Sequence, residues 1–299
     1  MGSVGLVLEG GANRGIFTAG VLDCLKRHDI YLPYVISVSV GTCNAIDYLS
    51  HQIGRTMSCM IPEGRNDPPI SIRHLPTKHS MIDLDMVFDR YPNDLLPFDY
   101  EAYFASDIES EYVVTNCQTG EAEYLTETHD RERLMRVCRA SCSMPYLCTM
   151  VTLEGKEYLD GGIADAIPIR RAIEKGYDRN IVVLTRERTY NSGDLKEDER
   201  NHAKAGRRHS SIGQWFAGRW YRRYPALVQA LNSRNCRYRE TRALLWELEN
   251  NGRVLIFCPD EVLAKGLSNN EENMKNFYKE GYQMAEQRIS EIARFIEEE

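Results

Sequence analysis

The chain has 299 residues, of which 42% are apolar and 27% are charged, and its formal net charge is −7 at pH 7. This length and composition are those of a globular protein with a large core, and the negative charge gives no overall reason to expect nucleic-acid binding. No apolar run approaches the about 18 residues of a spanning helix. No basic segment precedes the first apolar run, so we do not expect a signal peptide.

The nine cysteines are scattered singly, without a C-x-x-C pair and without a histidine at zinc-finger spacing. This pattern is typical of reduced thiols in a cytoplasmic protein, so we expect a cytoplasmic location, no metal site and no other cofactor. Cys43 and Cys142 are not expected to act as nucleophiles, because neither has a plausible base beside it.

The first part of the chain alternates strand and helix. Residues 4–8 form an apolar run of buried-strand length, a glycine-rich loop follows over 9–15, and residues 16–27 have helical periodicity. Residues 35–38 predict a second strand, and a helix is predicted from Gly41 towards Ser50. This order predicts an α/β fold with a mainly parallel central sheet.

A serine lies where the second strand passes into its helix. The run Ser37-Val38-Ser39-Val40-Gly41 matches the nucleophile elbow G-x-S-x-G, with Ser37 in place of the first glycine. An elbow holds its serine hydroxyl out at the end of a sheet. The alternative is that the Ser39 hydroxyl only caps the following helix.

The glycine-rich loop reads Glu9-Gly10-Gly11-Ala12-Asn13-Arg14-Gly15. Backbone N–H groups that gather at a helix N-terminus stabilise negative charge, either of a phosphate or of the oxyanion in acyl transfer. As a dinucleotide fingerprint the loop is poor, because Ala12 stands where the second glycine belongs. It is not a P-loop, because no Gly-Lys-Ser/Thr follows.

The middle of the chain is less regular. Residues 54–80, rich in Pro, Gly, Asn and Arg, predict a long loop of the kind that forms lids or binding loops. Beyond it we predict hairpins over 111–125 and 150–159, helices over 131–140, 167–175 and 242–250, strands over 180–185 and 253–258, and one or two final helices over 270–299.

An acidic residue ends the second hairpin in the run Asp160-Gly161-Gly162. A carboxylate at the carboxyl edge of a parallel sheet lies where active sites form, although D-G-G is more often only a turn. Asp165 is a weaker candidate because it follows the turn. His202 and His209, the two histidines after Asp160, lie in a basic stretch, and a serine activated directly by a carboxylate needs neither.

Together, Gly10-Gly11-Ala12-Asn13-Arg14-Gly15, Ser37-Val38-Ser39-Val40-Gly41 and Asp160-Gly161-Gly162 resemble the patatin-like phospholipases. The run from Ala140 to Pro145 strengthens the resemblance, which covers roughly residues 3–185. It implies a patatin-like three-layer sandwich and hydrolysis of lipid acyl esters by a Ser–Asp dyad, without a metal.

The same resemblance implies roles for individual residues. Ser39 is the nucleophile and Asp160 is the base that accepts its proton. Ser37 and Gly41 flank the nucleophile in the elbow. The oxyanion hole is assigned to the loop residues Gly10, Gly11, Ala12, Arg14 and Gly15. Ser37 and Ala12 replace glycines of the family pattern, so we expect the fold to survive and the catalytic rate to be the property affected.

We divide the chain into a hydrolase core, 1–190, and a largely helical extension, 191–299, packed on it. Residues 201–239 hold nine basic and no acidic residues, with interleaved aromatic residues that include Trp215, Phe216 and Trp220. Helical spacing predicts an amphipathic helix over 216–227. One interpretation is peripheral contact with anionic lipid headgroups; the favoured one is that the apolar residues pack on the core.

The sequence therefore predicts a serine acyl hydrolase that cleaves lipid carboxylic esters, as phospholipases and lysophospholipases do. One alternative is a catalytically impaired protein that binds lipids or acyl groups. Another is a nucleotide-binding α/β protein that uses the Gly10–Gly15 loop.

Overall fold

The computed structural model describes residues 4–61, 83–190, 218–264 and 270–297. Within these residues, eight strands form one mixed sheet: β1 Val4–Leu8, β2 Tyr34–Val38, β3 Glu109–Asn116, β4 Ala122–Leu125, β5 Val151–Leu153, β6 Lys156–Asp160, β7 Arg179–Val183 and β8 Val254–Phe257. The α-helices are α1 Gly15–Arg27, α2 Val40–Leu49, α3 Arg55–Met60, α4 Tyr100–Ala105, α5 Arg131–Ser141, α6 Ile169–Glu174, α7 Pro225–Asn250, α8 Glu271–Gln287 and α9 Ile289–Glu297. A π-helical segment, Met86–Leu95, and 3₁₀ turns at Ala12–Arg14 and Gly161–Ile163 complete the set.

Five strands of the sheet run parallel, in the order β8, β7, β1, β2, β3. Every residue of β1 and β2 is buried, as expected for strands covered by helices on both faces. Antiparallel pairings join β4 to β3, β6 to β3 and β5 to β6. The prediction of an α/β fold with a mainly parallel central sheet is confirmed.

Helices cover both faces of this sheet. Alternate residues of β1 face opposite sides, and Leu6 and Leu8 belong to one hydrophobic cluster, with residues of α1, α2, α5 and α8. Val7 belongs to another, with residues of α6 and α7. The sheet is therefore the middle layer of the predicted three-layer sandwich.

The described residues beyond 190 are integral to this core. β8 pairs with β7 in the central sheet. Helix α8 crosses α1 so closely that a Cβ on Gly20 would lie 2.1 Å from the Tyr278 carbonyl oxygen, and one on Gly281 would lie 2.2 Å from the Phe17 carbonyl oxygen. The division of the chain at residue 190 stays a prediction, but the later part supplies a strand and two packing helices to the same body.

Two local predictions need correction. The helix predicted over 216–227 is interrupted by a turn at 221–223, and α7 begins after it at Pro225. The helix predicted over 242–250 is confirmed as the last part of α7. Proline suits the first turn because its missing N–H has no helical partner there. In the predicted 54–80 loop, Arg55–Met60 is helical; residues 62–80, with Trp215 and Phe216, lie outside the described residues.

In the described ranges, no helix is both long and apolar enough to cross a membrane.

Candidate active site

Ser39 and Asp160 come together because two strands converge along one edge of β3. Val113 of β3 pairs with Val38, the last residue of β2, and the next residue, Val114, pairs with Asp160, the last residue of β6. At both positions β4 occupies the other edge of β3. Strands β2 and β6 therefore lie end to end and run towards each other, so that their carboxyl ends meet.

The sequence predicts that Asp160 ends a strand at the carboxyl edge of the parallel sheet. The position is as predicted, but the strand that carries Asp160 is not one of the parallel strands. This strand, β6, runs antiparallel to β3. Asp160 reaches the site because β3 continues to Asn116, three residues past the level at which Val38 pairs, and β6 pairs with that overhang.

Ser39 has the strained backbone of an elbow. Its φ is 56° and its ψ is −126°, a combination that costs a non-glycine residue of order 1–3 kcal/mol and that clusters at functional sites. Gly41 permits the turn, since a Cβ there would lie 2.9 Å from the Leu8 carbonyl oxygen. Ser37 is fully buried in β2 and donates a hydrogen bond to Thr42 Oγ1 at 3.3 Å. The missing first glycine is thus accommodated by a small, hydrogen-bonded side chain.

The side chains of Ser39 and Asp160 form a buried pair. Ser39 Oγ donates to Asp160 Oδ2 at 2.7 Å, and the Gly162 N–H donates to Asp160 Oδ1 at 2.8 Å. Ser39 makes no side-chain cap to α2, so the helix-cap alternative is wrong. Burial raises the pKa of Asp160, and the hydrogen bond from Ser39, the charge of Arg234 and the Gly162 N–H oppose that rise.

A third serine, which the sequence analysis does not single out, supports the elbow. The fully buried Ser141, at the end of α5, accepts the Ser39 backbone N–H at 2.9 Å and donates to the Val113 carbonyl oxygen at 2.8 Å. Thr42 Oγ1 lies 3.0 Å from Ser141 Oγ and is its donor, because the Ser141 hydrogen is already used. The run Ala140–Pro145 contains this residue, but nothing in its spacing marks the contact.

We expect Ser141→Ala to lower the free energy of unfolding by about 1–3 kcal/mol, because the buried Ser39 N–H and Val113 carbonyl lose their partners. It should also lower kcat, since the strained Ser39 backbone loses a constraint. Urea unfolding and ester-hydrolysis kinetics measure both effects. Ser143→Ala is the matched control: its buried hydroxyl bonds the Arg139 carbonyl oxygen and not Ser39, and its backbone bond to the Asp160 N–H does not depend on the side chain. This variant should lose stability and keep its activity. Equal activity losses in the two variants would contradict the assignment.

The glycine-rich loop presents free donors beside Ser39. Among the described residues, the backbone N–H groups of Gly10, Gly11 and Ala12 have no hydrogen-bond acceptor, and all three residues line the pocket that contains Ser39. A Cβ on Gly11 would lie 2.5 Å from Thr185 Oγ1, so glycine is required there. Ala12 has a φ of 49°, a conformation that glycine adopts at less cost.

The other two loop residues differ from each other. Arg14 lines the pocket, and its buried Nε has no hydrogen-bond partner in the described structure. Gly15 is instead the first residue of α1 and is not among the pocket-lining residues. A Cβ on Gly15 would lie 2.4 Å from Val40 Cγ1. Gly15 therefore lies where α1 packs closely against α2, and it is not grouped with the free N–H donors of the loop.

Glu9 holds the loop in place, a role that the sequence does not indicate. Its buried carboxylate accepts the Thr185 N–H at 2.6 Å and the Tyr238 hydroxyl at 2.6 Å. Burial raises the pKa of Tyr238, and the nearby Glu9 carboxylate adds to that rise. These bonds connect the end of β1 to the end of β7 and to α7.

The pocket over Ser39 and Asp160 has a volume of about 270 Å³. Its walls come from the loop, from the segment after α5, from the turn after β6, from the end of β7 and from α7. Besides the residues already named, it is lined by Met144, Pro145, Leu147, Ile163, Ala166, Arg186, Tyr190, Arg234 and Asn235. Apolar side chains and three arginines thus line the same cavity as Ser39.

The weaker candidates lie elsewhere. Asp165 does not line this pocket, and its carboxylate accepts the Tyr124 hydroxyl at 3.2 Å. His202 and His209 lie outside the described residues. Cys43 and Cys142 have their sulfur atoms 3.9 Å apart, and the Cys43 hydrogen bond together with burial raises the pKa of Cys142, which disfavours a nucleophilic thiolate.

One group of metal-ligating side chains is found in the described part of the chain, away from the pocket. The ligand atoms of Cys24, His28 and Glu286 lie within 4.8 Å of one another. Hydrogen bonds account for this arrangement, since Glu286 lies 3.3 Å from the Cys24 thiol and 2.9 Å from His28 Nε2. Burial and the carboxylate raise the pKa of Cys24 to about 12, so its thiol keeps its proton. A metal-free reaction stays a prediction.

Comparison with known proteins gives two family matches. A model of the family described as patatin-like phospholipase matches residues 6–173. A second, described as a domain of unknown function (DUF6363), matches residues 224–297, a range that contains α7, β8, α8 and α9.

Individual relatives and a solved structure also match. The uncharacterized protein YjjU of Escherichia coli (strain K12) is 32% identical over 192 residues, 62% of this chain and 52% of that protein. Lysophospholipase NTE1 of Candida albicans is 26% identical over 189 residues, 60% of this chain and 13% of that protein. VipD from Legionella pneumophila matches 97% of this chain and 67% of its own, with 12% identity and a TM-score of 0.49.

The chain thus spans about half the length of YjjU and a smaller part of the lysophospholipase. The first family match, in contrast, covers more than half of this chain and includes the glycine-rich loop, the elbow and Asp160. The chain belongs to the patatin-like phospholipase family.

Proposed function

We propose that this chain is a serine acyl hydrolase that cleaves carboxylic esters of lipids, with Ser39 as the nucleophile and Asp160 as the general base. The observation that carries the proposal is the 2.7 Å hydrogen bond from Ser39 Oγ to Asp160 Oδ2 at a strained elbow. Family membership and the similarity to lysophospholipase NTE1 support a lipid ester as the substrate.

Acylation follows from this geometry. Ser39 Oγ attacks the ester carbonyl carbon while its proton passes to Asp160 Oδ2, which already accepts that hydrogen bond. The carbonyl oxygen becomes an oxyanion, which the free N–H groups of Gly10, Gly11 and Ala12 stabilise. When the intermediate collapses, the ester C–O bond breaks, and the leaving alkoxide takes the proton from Asp160. An acyl-enzyme on Ser39 and a free alcohol result.

Deacylation reverses these roles. A water molecule attacks the acyl carbon and gives a proton to Asp160, and the same N–H groups hold the second oxyanion. Collapse breaks the bond to Ser39 Oγ, which recovers the proton from Asp160, and the fatty acid leaves. One carboxylate serves both half-reactions, so a histidine is not needed.

The alternatives have less support. A nucleotide-binding protein would use only the loop and would leave the Ser39–Asp160 hydrogen bond and the strained Ser39 backbone without a role. An impaired lipid- or acyl-binding protein would use the same pocket and would differ only in turnover. The proposed hydrolase is favoured because the loop, Ser39 and Asp160 face one cavity.

Within the 201–239 stretch, the exposed Trp220 supports contact with a lipid surface. Trp220 is 64% exposed and Tyr146 is 41% exposed, their ring centroids lie 6.3 Å apart, and Tyr146 stands between two pocket-lining residues, Pro145 and Leu147. Tyr221 and Leu227 are instead buried in a hydrophobic cluster. We propose that the exposed pair meets the lipid surface while its neighbours pack on the core.

A fluorophosphonate probe tests the proposal directly. We expect one covalent adduct on the native protein, located at Ser39 by mass spectrometry of its peptides, because the probe needs an activated serine and an oxyanion hole. Heat-denatured protein is the control and should not react. Absence of an adduct in folded protein would favour the impaired lipid-binding alternative.

The pH dependence of hydrolysis reports on Asp160. The base accepts a proton only when it is ionised, so activity falls as the pH falls through its pKa. Because burial raises that pKa above the ordinary value of 3.8, we expect the acid limb of kcat/KM above the usual aspartate range. Arg234→Gln removes a charge that opposes this rise and should move the limb higher, whereas Arg239→Gln, exposed on the same helix, should not. A limb at the ordinary value would contradict Asp160 as the base.

A further inference from the structure

Three arginines from separate parts of the chain line the pocket: Arg14 follows β1, Arg186 follows β7 and Arg234 belongs to α7. Within the described ranges, none of the three forms an ion pair with a carboxylate. The two acids of the pocket are already engaged, Glu9 by Thr185 and Tyr238, and Asp160 by Ser39 and Gly162. The cavity therefore holds three guanidinium groups against two carboxylates, an excess of one positive charge when both acids are ionised.

The arginines lie beside the reacting groups. Arg234 Nη2 is 3.7 Å from the position of a Cβ on Gly162, the residue whose N–H binds Asp160. The Arg186 guanidinium lies 3.9 Å from the centroid of the Tyr190 ring. Burial lowers the pKa of Arg14, and the charge of Arg186 lowers it further, which places these two cations within electrostatic reach of each other.

Hydrogen bonds from two arginines hold helix α7 against this site. Arg237 donates to the carbonyl oxygens of Ile163 at 2.7 Å and Ala164 at 3.0 Å, in and just after the turn that follows Asp160. Arg242 is fully buried and donates to the carbonyl oxygens of Glu187 and Arg188 at 2.9 and 3.1 Å. These anchors, one on each side of Tyr238, fix the part of α7 that presents Arg234 to the pocket.

We propose that Arg14, Arg186 and Arg234 form a subsite for the phosphate of the lipid headgroup, and that α7 thereby selects ester lipids with anionic headgroups. This inference rests on the proposed hydrolase function. Guanidinium groups suit phosphate because they present several N–H donors in a planar fork. It also gives a function to a helix within the range matched by the domain of unknown function.

The same residues disfavour a choline headgroup. A quaternary ammonium binds to open aromatic faces or to carboxylates, and here Arg186 stacks on Tyr190 while both pocket carboxylates are engaged. A zwitterionic lipid would gain its phosphate contact but would bring its ammonium close to the arginines. A neutral glyceride has no phosphate and would not make this contact with the arginines.

The test compares phosphatidylglycerol and phosphatidylcholine with identical acyl chains, each at the same low mole fraction in nonionic detergent micelles. For the native protein, we expect a larger kcat/KM with phosphatidylglycerol. Arg186→Gln and Arg234→Gln should each lower kcat/KM for both lipids by roughly tenfold, because each removes one charged hydrogen bond to the phosphate that both lipids carry. Each should also reduce the ratio of the two kcat/KM values, because it removes a charge that repels the choline ammonium. Arg239→Gln, an exposed arginine of α7 that does not line the pocket, should leave the ratio unchanged.

Using the ratio separates specificity from catalysis, because any effect of Arg234 on Asp160 acts on both lipids. Equal native kcat/KM values, or an equal loss of ratio in Arg239→Gln, would overturn the subsite while leaving the hydrolase intact. A native protein that hydrolyses neither lipid nor a p-nitrophenyl ester would remove the proposed function, and the subsite with it. Competitive inhibition of p-nitrophenyl ester hydrolysis by inorganic phosphate, without a headgroup preference, would assign the arginines to a free anion and overturn the lipid assignment.

Discussion

Ser39→Ala is expected to abolish hydrolysis of a short p-nitrophenyl ester, and Asp160→Asn to lower kcat by at least about 10³-fold. Alanine removes the attacking oxygen, and asparagine keeps the shape of the carboxylate but cannot accept the Ser39 proton. Steady-state kinetics measure both losses, and circular dichroism checks that each variant remains folded.

Asp160→Asn should not destabilise the protein at neutral pH. Burial raises the pKa of Asp160 in the folded state above its value in the unfolded state. Its protonated form therefore stabilises the fold at low pH, and that stability is lost as the pH rises through the folded-state pKa. The neutral side chain of asparagine avoids that loss. A thermal melt at neutral pH therefore distinguishes a catalytic defect from unfolding.

Asp165→Asn is the matched control for this pair. Asp165 is a half-buried carboxyl whose pKa is also raised by desolvation, but it bonds Tyr124 and does not line the pocket. We expect this variant to keep kcat within a few-fold of native, roughly the scatter of neutral substitutions. Full activity in Asp160→Asn, or a comparable loss in Asp165→Asn, would reassign the base.

Gly20→Ala is expected to lower the free energy of unfolding by about 3 kcal/mol or more. The added Cβ would lie 2.1 Å from the Tyr278 carbonyl oxygen and 2.8 Å from the Tyr282 nitrogen. Both atoms belong to the backbone of α8, so no side-chain rotation relieves the overlap. The two helices must separate, and the core between them opens. Urea unfolding followed by circular dichroism measures the change.

Gly281→Ala tests the same contact from the other helix, because its Cβ would lie 2.2 Å from the Phe17 carbonyl oxygen. Gly218→Ala is the control: none of the described residues has an atom within 4 Å of its Cβ position, and we expect a change of about 0.5 kcal/mol or less. If Gly20→Ala and Gly218→Ala unfolded at the same urea concentration, the close packing of α1 on α8 would not contribute to stability.

The strands of the core are largely predictable from the sequence, because each is marked locally. β1 and β2 are short apolar runs followed by a glycine-rich loop or a small-residue turn, and the hairpin of β3 and β4 has Gly120 at a φ of 71° in its turn. The break in the helix predicted over 216–227 was not marked in the same way. The apolar spacing continues through the turn at 221–223, and Tyr221 and Leu227, on either side of Pro225, pack in the same hydrophobic cluster.

Some residues of the candidate site are also marked in the sequence, and others are not. The elbow and the loop can be located because strained turns need small residues, and Ser39, Gly41 and Gly11 carry that signal. Ser141, Glu9 and Arg234 carry none. A buried serine, a glutamate at a strand end and an arginine on a helix are common, and each acquires a function only through contacts with distant residues.

The sequence by itself determined the family resemblance, the order of the elements and the two residues proposed to react. These follow from local geometry, since glycine, serine and β-branched residues restrict the backbone within a few positions. Only the tertiary structure decided that Ser39 and Asp160, 121 residues apart, lie 2.7 Å from each other, and that α7 completes the pocket wall. The physical reason is strand register. The length of β3 lets β2 and β6 meet end to end on one edge, and no local pattern encodes that pairing.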